Sequence, residues 1–216
     1  MAKLEIVGFP QSTYVRVVRM ACEEKGIAYE LVPHPPHAPD VAAVHPFGKI
    51  PVMRHGDLSL CESKAIATYL DRTFPGPALI PSDPRLAAVA EQWISLVNTA
   101  MDPVLIRNYL FCYIFPKTAD GKPDPAAIAA VTPAVREQIG ILDAAVAKTG
   151  HLAGDQFTLA DINLMPILFY VQQFPEGREA LAAAKNLSAY YQRHAARQSF
   201  QSTMPPPPPP RQARPN

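Results

Sequence analysis

Three short stretches carry residues that could do chemistry as well as fold. Ser12 and Thr13 stand in GFPQSTYVR, between a β-prone run ending at Gly8 and a helical run from about Tyr14. Glu62 and Ser63 stand in LSLCESKAI, again where an apolar alternating run gives way to a helix. Pro51, preceded by Ile50, opens the apolar run PVMRHG. A hydroxyl at a helix start can accept from the first-turn amides and cap the helix. It can also donate to an anion held at the positive end of that helix. A thiol bound there is favoured as thiolate, because hydrogen bond and dipole both stabilise the charged form. A free thiol has a pKa of about 8.5, so a drop of about two units is useful at neutral pH, at about 1.4 kcal/mol per unit.

Glu62-Ser63 has two readings. As structure, Ser63 is an N-cap and nothing more. As a site, the free amides, the Ser63 hydroxyl and the dipole hold a carboxylate, while Glu62 accepts from an ammonium. That combination suits an amino-acid-like group carrying both charges. Pro51 also has two. A proline cannot donate to a sheet ladder, so it belongs at a strand's first residue. With a cis Ile50-Pro51 bond, the Ile50 backbone faces outward and an extended peptide can pair with it as an added strand. A trans bond is the commoner geometry.

The elements that must position these residues fall into two grammars. Up to about residue 78 strand and helix signals alternate. KLEIVG is a short strand, and YVRVVRMACEEKG is a helix with Gly26 as its stop. IAYELVPH is a second strand, and PVMRHG and LSLCE form a hairpin around His55-Gly56-Asp57. SKAIATYLDRTF is a helix stopped by Pro75-Gly76-Pro77. The order is β-α-β, then β-β-α, so a right-handed crossover joins parallel strands before an antiparallel hairpin. From Arg85 onward there is no convincing strand. A helical run bends at Pro103, a second long helix contains Pro133, and TLADINLMPILFYVQQF and NLSAYYQRHAA supply two more. Thr158-x-x-Asp161 reads as a capping box with a folding role.

Bulk properties exclude several classes. The chain has 216 residues, 48% hydrophobic and 18% charged, so it can bury a real core. Its net charge of +1 gives no basic field for nucleic acid. No apolar run approaches membrane-spanning length, and MAKLEIVGFP has no secretory h-region. Three cysteines without CxxC spacing support neither a disulfide framework nor a zinc knuckle and point to a reducing compartment. Cys22 sits at an apolar helical position and belongs to the core. Cys61 should point opposite to Glu62. There is no GxSxG around either serine, no GxGxxG and no P-loop. Of 25 prolines, six run together in PPPPPPRQARPN, which favours polyproline II and an unstructured tail at 204–216.

These residues together resemble the cytosolic glutathione transferases, in particular the serine-type, phi-like members. HPFGKIPVMRHGDLSLCESKAIATYL, His45 to Leu70, is similar to the family's Asn-Pro-Phe-Gly-Lys/Gln-Ile/Val-Pro…Glu-Ser-Arg-Ala-Ile pattern. STYVRVVRMACEEKGIAYELV and FTLADINLMPIL resemble its first helix with the second strand and a helix start in its second half. The resemblance spans about residues 3–200. It implies a thioredoxin-like α/β domain (βαβ-ββα) at 1–78, a linker at 79–87 and an all-α helical-bundle domain at 88–203.

The resemblance also implies the site. Glutathione is the co-substrate and no metal takes part. Ser12 stabilises the thiolate, with Thr13 as second candidate. Ile50, beside a cis Pro51, pairs with the cysteinyl backbone. Glu62 and Ser63 bind the γ-glutamyl group. Lys49 and His37 (or His34) fall near the glycyl carboxylate. Phe9, Pro10 and Tyr14, with Tyr109 and Tyr113 of the stretch Arg107 to Phe115, are candidates for an apolar electrophile site, core or interface packing being the alternative for Tyr109, Tyr113 and Phe115. Ser12 stands where cysteine-type members carry their thiol, which disfavours reductase chemistry. His45 replaces the usual Asn, and Lys64 the commoner Arg. The expected partners are glutathione, a small electrophile and a second copy of the chain in a homodimer, in the cytoplasm, without nucleic acid or membrane. The expected activity is conjugation of glutathione to electrophiles. A non-catalytic glutathione-binding protein of the same fold, or a glutathione-dependent peroxidase or isomerase, is the alternative.

Overall fold

Strand β1 (Leu4–Val7) is the pivot of the first half. In the computed structural model, which describes residues 2–206, it pairs in parallel with β2 (Glu30–Val32) after a crossover through α1 (Thr13–Lys25). The short α2 (Pro39–Ala42) follows. Strand β3 (Val52–His55) runs antiparallel to β1, and β4 (Leu58–Cys61) antiparallel to β3, giving the order β2-β1-β3-β4. Helix α3 (Ser63–Thr73) leaves the end of β4. Helix α1 buries nearly a full face because Val15, Val17, Val18, Met20, Ala21 and Cys22 recur at helical spacing. Gly26 ends it in the left-handed conformation, with its N–H returned to Cys22 and Glu23.

The second half is helical. Its elements are α4 (Pro84–Leu96), a π-helical segment (Val97–Leu110), α5 (Phe111–Ile114), α6 (Pro125–Val146), α7 (Leu159–Val171), α8 (Pro175–Ala183), α9 (Lys185–Ala195) and α10 (Gln198–Ser202). Pro103 lies within the π-helical segment, so the run continues through the proline on wider turns. Pro133 stays inside α6 as expected. Helix α7 starts with the Thr158–Asp161 capping box. Asp161 also accepts from Leu152 N and Tyr190 Oη, both at 3.0 Å, so the box ties α7 to α9 and to the turn before it.

Two points differ from the sequence reading. The stretch assigned as linker, 79–87, ends in helix: Asp83 accepts from Arg85 N and Leu86 N, and Pro84 takes the first helical position, so 84–87 belong to α4. The rest of that stretch is fastened as well. Asp71 accepts from Leu79 N and Ile80 N, and Leu159 N donates to Leu79 O. The sequence reading also lacks α2, α8 and α10, which are short. The tail assigned at 204–216 falls for positions 207–216 outside the described residues.

One hydrophobic cluster runs through both halves, from Ile6 and Met53 in the sheet through α1 to Ile162 and Leu168 of α7. Cys22 is inside it, as expected, and the three cysteines are free thiols. The first half is thus a fixed platform for whatever lies along its sheet end.

Candidate active site

The sheet registers bring the three chemical stretches to one place. Val7, the last residue of β1, faces Val52, the first of β3, and Val52 faces Cys61, the last of β4. The Ser12 loop after β1, Ile50-Pro51 before β3 and Glu62-Ser63 after β4 therefore meet at the same end of the sheet. Close packing presses two of them together. A Cβ on Gly8, at φ +150°, would lie 2.5 Å from Val15 Cγ2 and 3.1 Å from Ile50 Cβ. Only glycine lets the chain leave β1 in that gap.

Ser12 is the N-cap of α1, with extended backbone, and its Oγ accepts from Val15 N at 3.3 Å. That bond uses a lone pair of the hydroxyl, so the O–H remains free to donate to an anion in front of the helix. Thr13, one position on, is the first helical residue and is buried, so it is the less accessible of the two. The loop is anchored from the second half of the chain: Tyr170 Oη donates to Gln11 O at 2.6 Å.

The Ile50-Pro51 bond is cis, and Pro51 directly precedes β3. Ser63 is not the N-cap expected of it. Glu62 takes that position at φ 69°, ψ 113°, and its side chain makes no capping bond, while Ser63 is the first helical residue and is buried. The cause is the abrupt turn from β4 into α3, which leaves no extended residue for a serine cap. As a result the first-turn amides of α3 have no side-chain cap, which is the condition for an anion site. A non-glycine residue at positive φ is costly and tends to persist where a site requires it.

Glu62 lies beside a residue to which the sequence assigns no role. His45 is 3% exposed; its Nε2 lies 3.2 Å from Glu62 Oε1, and its Nδ1 accepts from Phe47 N at 3.1 Å. Along the same loop His37, at φ 65°, packs its ring against Gly48 and donates its backbone N–H to Gly48 O at 2.8 Å. Lys49 is exposed next to it, with Nζ 6.0 Å from the Phe47 ring centroid. These two side chains therefore flank one loop. His34 is engaged elsewhere, 3.0 Å from Asp40.

Towards the helical half, Phe9 and Pro10 are partly exposed on the Ser12 loop, and Tyr14 is partly buried. The Tyr14 phenol is pushed well above its usual range, first by burial and then by the buried Asp102 carboxylate, with a smaller effect of Glu62. Arg107 Nε donates to Asp102 Oδ2 at 2.9 Å. Asp102 is a site neighbour the sequence reading lacks. A carboxylate before Pro103 in a helical run gave no signal that its side chain would turn inward.

Tyr109 and Tyr113 are both bonded to Glu176 of α8. Tyr109 is fully buried, donates to Glu176 Oε2 at 3.0 Å and accepts from Gly177 N at 2.8 Å. Tyr113 donates to the same carboxylate oxygen at 2.6 Å and stacks on Phe174 at 4.1 Å. Both rings fasten the π-helical segment and α5 to α8; the alternative of core packing applies to them. Phe115 is exposed beyond them, edge-on to Phe111. Among the described residues no group of side chains is arranged to hold a metal ion.

Residues 6–78 match the family described as glutathione S-transferase, N-terminal domain, and residues 102–198 match glutathione S-transferase, C-terminal domain. Glutathione S-transferase 3 of Zea mays is 33% identical over 215 residues, which is 94% of this chain and 94% of that one. Glutathione S-transferase 1 of Triticum aestivum is 31% identical, covering 81% and 82%. The apo structure of glutathione S-transferase III superposes with a TM-score of 0.83 at 32% identity, over 97% of this chain and 100% of that one. A theta class glutathione S-transferase from Xanthomonas axonopodis pv. citri, solved with glutathione bound, gives 0.79 at 28%, over 94% and 98%. With its two halves matched and its length shared with these relatives, the chain belongs to the glutathione S-transferase family.

Proposed function

We propose that this chain joins the thiol of glutathione to small, mostly apolar electrophiles, with Ser12 stabilising the thiolate. The observation that carries the reading is the meeting, at one end of the sheet, of a serine N-cap with its proton free, the Ile50-Pro51 edge and the uncapped start of α3. Glutathione lies along Ile50 with its γ-glutamyl carboxylate on the α3 amides and Ser63, and its ammonium on Glu62. Lys49 and His37 face the glycyl carboxylate. The thiol then falls in front of α1. Its proton leaves to solvent, and the dipole of α1 and the Ser12 hydroxyl favour the remaining anion. The sulfur forms the new bond to an electrophilic carbon, and the leaving group departs with the bonding pair. Phe9, Pro10 and Tyr14 line the electrophile's side. No protein group becomes covalently attached and no metal is needed.

The experiment is Ser12→Ala with an aryl halide as electrophile, followed across pH. The thiol pKa of bound glutathione should rise by about one to two units, and kcat/KM should fall about 10- to 100-fold at neutral pH. An unchanged pKa together with unchanged turnover would remove Ser12 from its role and pass it to Thr13.

A two-fold dimer is the assembly we infer from the family. The face we assign to it is the concavity of about 710 Å³ between α3, α4 and the π-helical segment, lined by Glu62, Lys64, Thr68, Arg72, Ser95 and Asn98. Sedimentation as a monomer would discard it. The three free thiols fit the reducing cytoplasm, and among the described residues no helix is long and apolar enough to cross a membrane. Fractionation of expressing cells tests that placement.

A further inference from the structure

We propose that His45 is a positioning residue for ammonium recognition: it holds the Glu62 carboxylate over the α3 entrance by donating from Nε2. The inference rests on the reading of Glu62 as the acceptor for the glutathione ammonium.

The tautomer follows from the loop. The Phe47 N–H points at His45 Nδ1 from 3.1 Å, and an amide can only donate. Nδ1 must therefore be the bare nitrogen of a neutral ring, and the ring proton sits on Nε2. Nε2 lies 3.2 Å from Glu62 Oε1. The ring thus accepts from a backbone amide on one side and turns its other nitrogen towards a carboxylate at ion-pair distance. It is itself buried, so its direction is set by packing, whereas the Glu62 side chain is 70% exposed and would otherwise sample many rotamers.

Nothing else described does this work. Among the described residues His45 is the one side chain within ion-pair or hydrogen-bond distance of the Glu62 carboxylate. Lys64, two residues on, is engaged with Glu91. The backbone of Glu62 is committed to the turn, with its carbonyl accepting from Ile66 N. One carboxylate oxygen held by His45 leaves the second oxygen for a ligand donor. An ordered carboxylate costs the ligand less entropy on binding than a free one.

The test compares two substrates. One is glutathione; the other is its analogue with the γ-glutamyl amino group removed, glutaryl-cysteinylglycine. His45→Phe should raise KM for glutathione about three- to tenfold with kcat little changed. It should leave KM for the analogue where the native protein has it. His45→Gln, which can still donate, should recover part of the loss. In the double variant with Glu62→Gln, the His45→Phe effect should vanish. On the native protein, imidazole ¹⁵N shifts should report the Nε2–H tautomer for His45, a readout that needs no variant to fold.

Equal losses on both substrates would mean that His45 only supports the loop, and would overturn the inference. So would an Nδ1–H tautomer. If Glu62→Gln alone leaves KM for glutathione unchanged, the Glu62 reading falls, and this inference falls with it; if Glu62→Gln raises KM but His45→Phe does not, only the inference falls.

Discussion

Ser12 serves two ends with one oxygen. It accepts from Val15 N to start α1 and keeps its O–H for the anion we propose in front of that helix. His45 likewise divides its two ring nitrogens between the Phe47 amide and Glu62. A third residue of interest lies outside the site. His194, buried beside His151, Phe157 and Tyr190, has its pKa pushed down to about 3, first by burial and then by the positive charge of Arg193. The unfolded chain takes a proton at this ring below about pH 6.5, and the folded chain does not. Stability from this group is therefore complete above about pH 6.5 and drains away as pH falls towards about 3. Between pH 7 and pH 5 the loss should approach about 2 kcal/mol. Thermal melts of the native protein and of His194→Phe across that range should diverge in slope, the variant being flatter. Parallel slopes would show that His194 is not the group responsible.

At the scale of elements, the site is made from ends. The start of α1, the start of α3 and Ile50 ahead of β3 supply the proposed contacts to glutathione, while the element interiors are packed into the core. The precision of the arrangement depends on how closely those ends approach. Gly8→Ala should therefore be severe. Its Cβ would fall 2.5 Å from Val15 Cγ2, so α1 and the Ile50 segment must move apart. A destabilisation of about 2 kcal/mol or more, with a raised KM for glutathione, is expected. A variant with native melting temperature and native KM would show that the Ser12 loop does not depend on this contact. The π-helical segment is the other element with a functional address. Its wide turns carry the chain past Pro103 and place Asp102 and Arg107 towards Tyr14, while Tyr109 is turned into the core.

At the scale of the whole molecule, the helical half holds the Ser12 loop. Tyr170 of α7 donates to Gln11 O, next to Ser12. Arg16 and Arg19 of α1 reach the carbonyls of Phe200, Ser202 and Thr203, with the Arg16 guanidinium lying between the Phe169 and Phe200 rings. Glu24 takes Arg197 and Ser199 from the same region. Helix α1 is thus clasped from outside the domain that contains it, and its N-terminus cannot drift. Tyr170→Phe should cost about 1 kcal/mol of stability and lower kcat about two- to fivefold, with KM for glutathione little changed. Glutathione turnover and melting temperature both at native values would disconnect α7 from the loop.

What was legible in the sequence was local. The β-α-β and β-β-α order, the helical second half, the capping box of Thr158 and Asp161 and the stretches around Ser12, Pro51 and Glu62 each follow from neighbours in the chain, because periodicity, caps and turn residues act over a few positions. What the tertiary structure decided was which of those residues meet. That Ser63 is the first helical residue and not the cap depends on the turn out of β4. That Tyr109 and Tyr113 share Glu176 depends on where α8 packs, and α8 itself, like α2 and α10, is too short to announce its period. That His45 speaks to Glu62 depends on the pairing of β3 with β4, which folds residues seventeen positions apart onto one carboxylate. A contact across a sheet leaves no spacing signal in the chain, since it is the register of the strands that sets the distance.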